Sequence, residues 1–81
     1  LSVYPNPNNG IFTIKFDSKN KQETKLTLLK ALGQQVYAME WNLVEGVNSK
    51  EFMFSNDFAE GIYYVMIETE NGIIRRKVVK E

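Results

Sequence analysis

Between Tyr4 and Ile14 the chain reads Tyr-Pro-Asn-Pro-Asn-Asn-Gly-Ile-Phe-Thr-Ile, and this stretch closes off the helical option at once. Pro5 and Pro7 each hold φ at roughly −65° and drive the residue before them, Tyr4 and Asn6, into extended backbone. Asn8, Asn9 and Gly10 supply turn chemistry: Asn side chains bond to nearby backbone, and Gly10 takes a positive φ without a steric cost. From Ile11 onward apolar and polar residues alternate. Phe12, Ile14 and Phe16 fall on one face and Ile11, Thr13, Lys15 and Asp17 on the other, the signature of a half-buried strand over Gly10 to Asp17. A tight corner therefore joins a short apolar strand, Leu1 to Tyr4, to a long one.

The rest of the chain keeps the β period. Ser18 to Gln22 is polar and reads as a surface loop with nothing to pack. Thr24 to Lys30 breaks strict alternation at Leu26, Leu28 and Leu29, a spacing a helix also accommodates. The Ala31-Leu32-Gly33-Gln34 turn and the β-like run Gln35 to Leu43 make a hairpin the economical reading. In that run Tyr37, Met39, Trp41 and Leu43 oppose Val36 and Ala38; which face is buried stays open, and a bulge midway would shift it. Val44 to Asn48 reads as a turn and Ser49 to Phe54 as a strand with Phe52 and Phe54 on one side. Ser55 to Gly61 is then a loop pinned by Phe58. Ile62 to Thr69 is apolar on both faces, as expected of a strand interior to its sheet. Asn71-Gly72 signals a two-residue type I′ turn into the last strand, Ile73 to Lys80. About seven short strands with turn signals at this spacing specify an all-β fold, an immunoglobulin-like β-sandwich of antiparallel strands.

Composition narrows the function. Eighty-one residues make one domain, 1–81, which buries only about 60 to 65% of its unfolded surface. Ten basic and ten acidic side chains cancel, so no broad field draws in nucleic acid or an anionic membrane. No apolar run approaches the ~20 residues of a membrane-spanning helix. The absence of Cys and His removes thiolate nucleophiles, imidazole bases and the usual zinc ligands. The chain opens on Leu1-Ser2-Val3-Tyr4, already strand-like, and is expected to be a piece of a longer protein.

Four kinds of site remain to be weighed. Asp17, Glu40, Glu45, Asp57, Glu60, Glu68 and Glu70 are the carboxylates available for acid–base work; most sit at turns or strand ends, where a solvated surface is the simpler account. Asn6, Asn8 and Asn9 offer oxygens to calcium, yet the spaced Asp pattern of a calcium loop is missing. Arg75, Arg76, Lys77 and Lys80 form a basic patch that alternation splits between two faces, and charged side chains also protect a sheet edge. Tyr37, Trp41 and Tyr64 are candidates for a flat aromatic platform, which would make this a carbohydrate-binding or adhesion module; a core role for the Trp is the plainer reading. No enzyme, cofactor or metal function is expected.

Taken in order, the motifs are more informative than any single residue. Tyr4-Pro5-Asn6-Pro7 with Gly10-Ile11-Phe12-Thr13-Ile14, then Ala31-Leu32-Gly33-Gln34-Gln35-Val36, Gly46-Val47-Asn48, Phe58 ahead of Gly61-Ile62-Tyr63-Tyr64-Val65-Met66-Ile67, and the terminal Lys77-Val78-Val79-Lys80 together resemble the C-terminal sorting domain, type A, of the type IX (Por) secretion system. The resemblance spans Leu1 to Glu81. It implies a β-sandwich from a Bacteroidetes-type bacterium, carried behind a covalently linked passenger. Its partners would be the outer-membrane translocon, its shuttle proteins and a sortase-like peptidase. The route would run through the periplasm to the cell surface or the medium. Carried onto matching positions, it places the recognition signal at Gly61, Tyr63, Lys77, Val78, Val79 and Lys80. It leaves Pro5, Asn6, Pro7 and Gly10 as structural, as the turn readings do for Gly33, Asn71 and Gly72.

Overall fold

The structure, a computed structural model, describes residues 1–54 and 58–81; the expected loop positions 55–57, with the Asp57 carboxylate, lie outside them. Seven strands follow in order: β1 (Ser2–Tyr4), β2 (Ile11–Ser18), β3 (Gln22–Lys30), β4 (Gln35–Leu43), β5 (Gly46–Met53), β6 (Gly61–Thr69) and β7 (Gly72–Lys80). They form two antiparallel sheets, β1-β2-β5 and β4-β3-β6-β7, packed as a sandwich. In immunoglobulin lettering the order is ABE against C′CFG, with the fourth strand in the sheet of the third rather than beside E. A second mark of that architecture is Tyr63 on β6. Its hydroxyl donates to the Ala59 carbonyl at 2.6 Å, the tyrosine corner found at the start of strand F.

Alternation builds the core as expected. Phe12 and Ile14 of β2 face Leu26 and Leu28 of β3, Tyr63, Val65 and Ile67 of β6, and Val78 of β7, with Leu43 and Phe54 completing the buried cluster. Phe54 sits at the centre of an aromatic group, its ring 4.8 Å from Tyr63, 5.3 Å from Phe12 and 5.5 Å from Phe58. Phe58 thus packs on the core. The interior position expected for the Ile62 to Thr69 strand holds, since β6 lies between β3 and β7.

Elsewhere tertiary context overrides the local pattern. The broken alternation in β3 reflects burial on both faces. Thr27 and Leu29 point away from the sandwich core, yet Ala38, Met66 and Tyr64 pair beside them and cover them. In β4 the register skips Val36 where Leu28 gives way to Leu29, so Val36 is the bulged residue and packs on the core with Met39 and Trp41. Ser18 and Gln22 belong to strands rather than to a loop. Ser18 is buried, with its hydroxyl donating to Asn20 O at 2.6 Å and accepting from Gln22 Nε2 at 3.0 Å. β5 begins at Gly46, three residues before Ser49, because the buried Asn48 amide ties down the turn itself. Its Nδ2 donates to Val44 O and Gly46 O, and its Oδ1 accepts from Val44 N. The last hairpin is not a type I′ turn. Thr69 pairs with Gly72, so the loop is Glu70-Asn71, neither has a positive φ, and the positive φ falls on Gly72 at 125°.

Candidate functional site

The six candidate recognition residues converge on one end of the β6–β7 ladder. Gly61 pairs with Lys80, Tyr63 with Val78 and Tyr64 with Lys77, while Val79 pairs with Ile62. Alternation then divides them. Tyr63 and Val78 point into the core, 3% and 0% exposed, and touch solvent hardly at all. Lys80 lies on the same side, and its Nζ donates to the Phe58 carbonyl at 2.9 Å. Lys77 and Val79 point outward, Lys77 exposed and Val79 half-buried beside Ile62.

β7 is the outermost strand of its sheet, so alternate backbone groups face away from β6. Toward the end of the strand those groups are already taken. Asn8 N donates to Val79 O at 3.0 Å, and Glu81 N donates to Asn8 O at 2.7 Å, with Asn8 and Lys80 bridged in parallel. The Asn6 side chain extends the pattern: its Nδ2 donates to Lys77 O and its Oδ1 accepts from Val79 N, both at 2.8 Å. The turn from Pro5 to Asn8 is therefore a hook that crosses from the β1-β2-β5 sheet and covers the end of β7. The outer edge from Lys77 to Glu81 is therefore not free.

The hook is held from inside by Asn8. Its Oδ1 accepts from Gly10 N at 2.9 Å and its Nδ2 donates to Pro5 O at 3.3 Å. Gly10, at φ 120°, then turns the chain into β2, where a Cβ would lie 3.7 Å from Lys80 Cε. Both prolyl bonds, Tyr4–Pro5 and Asn6–Pro7, are cis. At the same end of the sheet Gly33, φ 94°, closes the β3–β4 turn by donating its N–H to Lys30 O at 2.8 Å. Asn6 does more than its local sequence suggested, since its side chain bonds to Lys77 O and Val79 N on a distant strand.

The other candidates do not assemble. Trp41 packs on the core and Tyr37 sets its edge against Phe52 at 5.2 Å, whereas Tyr64 points out from β6 beneath Arg75, whose guanidinium carbon is 5.5 Å from the ring centroid. Tyr37 and Trp41 share the core-facing side of β4 while Tyr64 lies on the other face of the sheet, so the three rings make no platform. Arg76 splits from Arg75 as expected, donating to Leu1 O at 3.1 Å. The oxygens of Asn6 and Asn8 proposed for calcium accept from Val79 N and Gly10 N instead. Among the described residues no three His, Cys, Asp or Glu side chains cluster to hold a metal, and no helix is long and apolar enough to cross a membrane. The apolar void under Phe12, Tyr37 and Phe52 has a volume of about 10 Å³, room for one water at most.

Sequence reasoning missed the pairing of the hook with β7. No local pattern marks it, because Asn8 reaches β7 through its main chain while its side chain turns inward to Pro5 O and Gly10 N. Searches of the curated proteins and of the solved structures find no match. The family model of the secretion system C-terminal sorting domain matches residues 2–81. That span takes in the hook, both hairpins and the whole of β7, so the match and the geometry concern the same unit. The chain belongs to the family of C-terminal sorting domains that mark proteins for type IX secretion.

Proposed function

We propose that this domain is the address that carries an upstream passenger across the outer membrane, acting as substrate and ligand rather than as catalyst. The observation that carries the proposal is the family match over residues 2–81. On this reading the outer-membrane translocon and its shuttle proteins recognise the domain after the passenger reaches the periplasm. A sortase-like peptidase then separates it from the passenger, which ends on the cell surface or in the medium. Lys77 and Val79 make direct contact, being the outward members of the candidate set. Gly61 and Lys80 shape the end of the ladder, and Tyr63 and Val78 hold it from the core side.

A truncation that removes Lys77 to Glu81 is a poor test, because it also removes Val78 and the partners of the hook. The better experiment attaches residues 1–81 behind a periplasmic reporter in a bacterium with a working type IX system. Export that depends on the translocon is expected. A reporter that stays in the periplasm, with the domain folded, would refute the reading.

A further inference from the structure

We propose that the outer edge of β7 from Lys77 to Glu81 is a docking edge for an extended segment of the type IX machinery, laid parallel to β7, and that Pro5 to Asn8 fills this edge until docking displaces it. This rests on the sorting reading above and adds the mode of recognition.

The hook shows what the edge accepts. Lys77 O, Val79 N, Val79 O and Glu81 N form an alternating row of acceptors and donors, and all four are bonded. Asn8 meets its share with main-chain groups in a parallel bridge. Asn6 meets the remainder with its side-chain amide, which offers one donor and one acceptor in place of a peptide group. A strand from another protein would present the same groups from its backbone alone, as in strand addition to a sheet edge.

The cover is also the more easily exchanged side of β7. Pro5, Asn6 and Pro7 are exposed, and the two Asn6 bonds are solvent-exposed, where water competes for both partners. The inner side of β7 is paired with β6 along its whole length and anchored by the buried Val78. Exchange of the hook therefore leaves the ladder and the core in place. Of the four hook residues only Asn8 is buried, and it is the pivot of the exchange.

Side chains beside the edge define the incoming segment. Lys77 and Val79 share the outward face, and Val79 lies next to Ile62. A segment with an acidic residue beside Lys77 and an apolar one two positions along, beside Val79, complements both in charge and in apolar contact.

The test uses the purified outer-membrane translocon of a type IX system as probe and follows amide exchange across the domain. In the free domain the Asn8, Gly10, Val79 and Glu81 amides are all expected to be slow. On capture Asn8 and Gly10 should exchange about tenfold faster, while Val79 and Glu81 stay slow under the new strand. Asn6→Ala, which opens the hook in advance, should be captured about tenfold more tightly, and Asn6→Asp, which keeps the acceptor for Val79 N, by a smaller factor. Unchanged protection of Asn8 and Gly10 in the complex would overturn the proposal. So would weaker capture of a folded Asn6→Ala, because the hook would then be part of the surface that is read. Those results leave the sorting reading standing. Failure of the translocon to capture the wild-type domain at all would remove both.

Discussion

The two ends of the last strand are held by different means. At its start β7 follows β6 through the two-residue Glu70-Asn71 loop, and its neighbours there are close in sequence: Thr69 Oγ1 accepts from Asn71 N and donates to Gly72 O. Ile73 is 63% exposed at this end. At its finish β7 is clasped by residues from the beginning of the chain. The Asn6–Lys77 and Asn6–Val79 bonds join residues 71 and 73 positions apart, and Val78 is fully buried beneath them. A strand can thus be local and unremarkable at one end while its other end closes the sandwich, and only the second end carries the candidate signal.

This contrast is open to direct attack. Val78→Asp places a carboxylate with no partner in the core and should cost about 4 kcal/mol or more, enough to unfold most of a small domain, whereas Ile73→Asp should stay within about 0.5 kcal/mol. Urea denaturation of the pair measures both, and similar midpoints would erase the distinction between the ends. Next in size is Asn8→Ala, which leaves the buried Gly10 N–H without its 2.9 Å acceptor and should cost about 2 kcal/mol. Thermal melting reads the loss, and a neutral result would mean that the hook does not depend on its pivot. Smaller still are Gly10→Ala and Gly72→Ala. Both glycines have positive φ, 120° and 125°, and neither site would crowd a Cβ closer than 3.7 Å, so each should cost about 1 to 2 kcal/mol. A markedly larger loss at Gly10 would show that the Lys80 side chain does not accommodate the added methyl group.

How much of this was legible follows the same division. Alternation at Phe12 and Ile14 exposed the core face of β2 because the period of a strand is a local property, whereas β6, apolar on both faces, has its core side, Tyr63, Val65 and Ile67, chosen by packing. The Gly33 turn and the last hairpin were also readable, since turn residues act within a few positions. The type of that hairpin was not, because the register placed Thr69 opposite Gly72 and moved the loop one residue ahead of Asn71-Gly72. Burial of Thr27 and Leu29 depends on side chains of neighbouring strands, and the start of β5 depends on the Asn48 amide folding back on Val44. The hook lay further out of reach. Asn6 and Asn8 look like ordinary turn residues until the fold brings the last strand beside them. The motif resemblance supplied the family and a candidate set of residues, while packing decided which of them face outward.

The central claim is that the address is displayed on the outward side of the end of β7. It is tested most directly by the double substitution Lys77→Glu with Val79→Asp in the reporter-linked domain. Both side chains lie outside the buried cluster, so a cooperative melt close to wild type is expected, together with at least a tenfold fall in type IX export and retention of the reporter in the periplasm. Export of the folded double variant at the wild-type rate would contradict the claim.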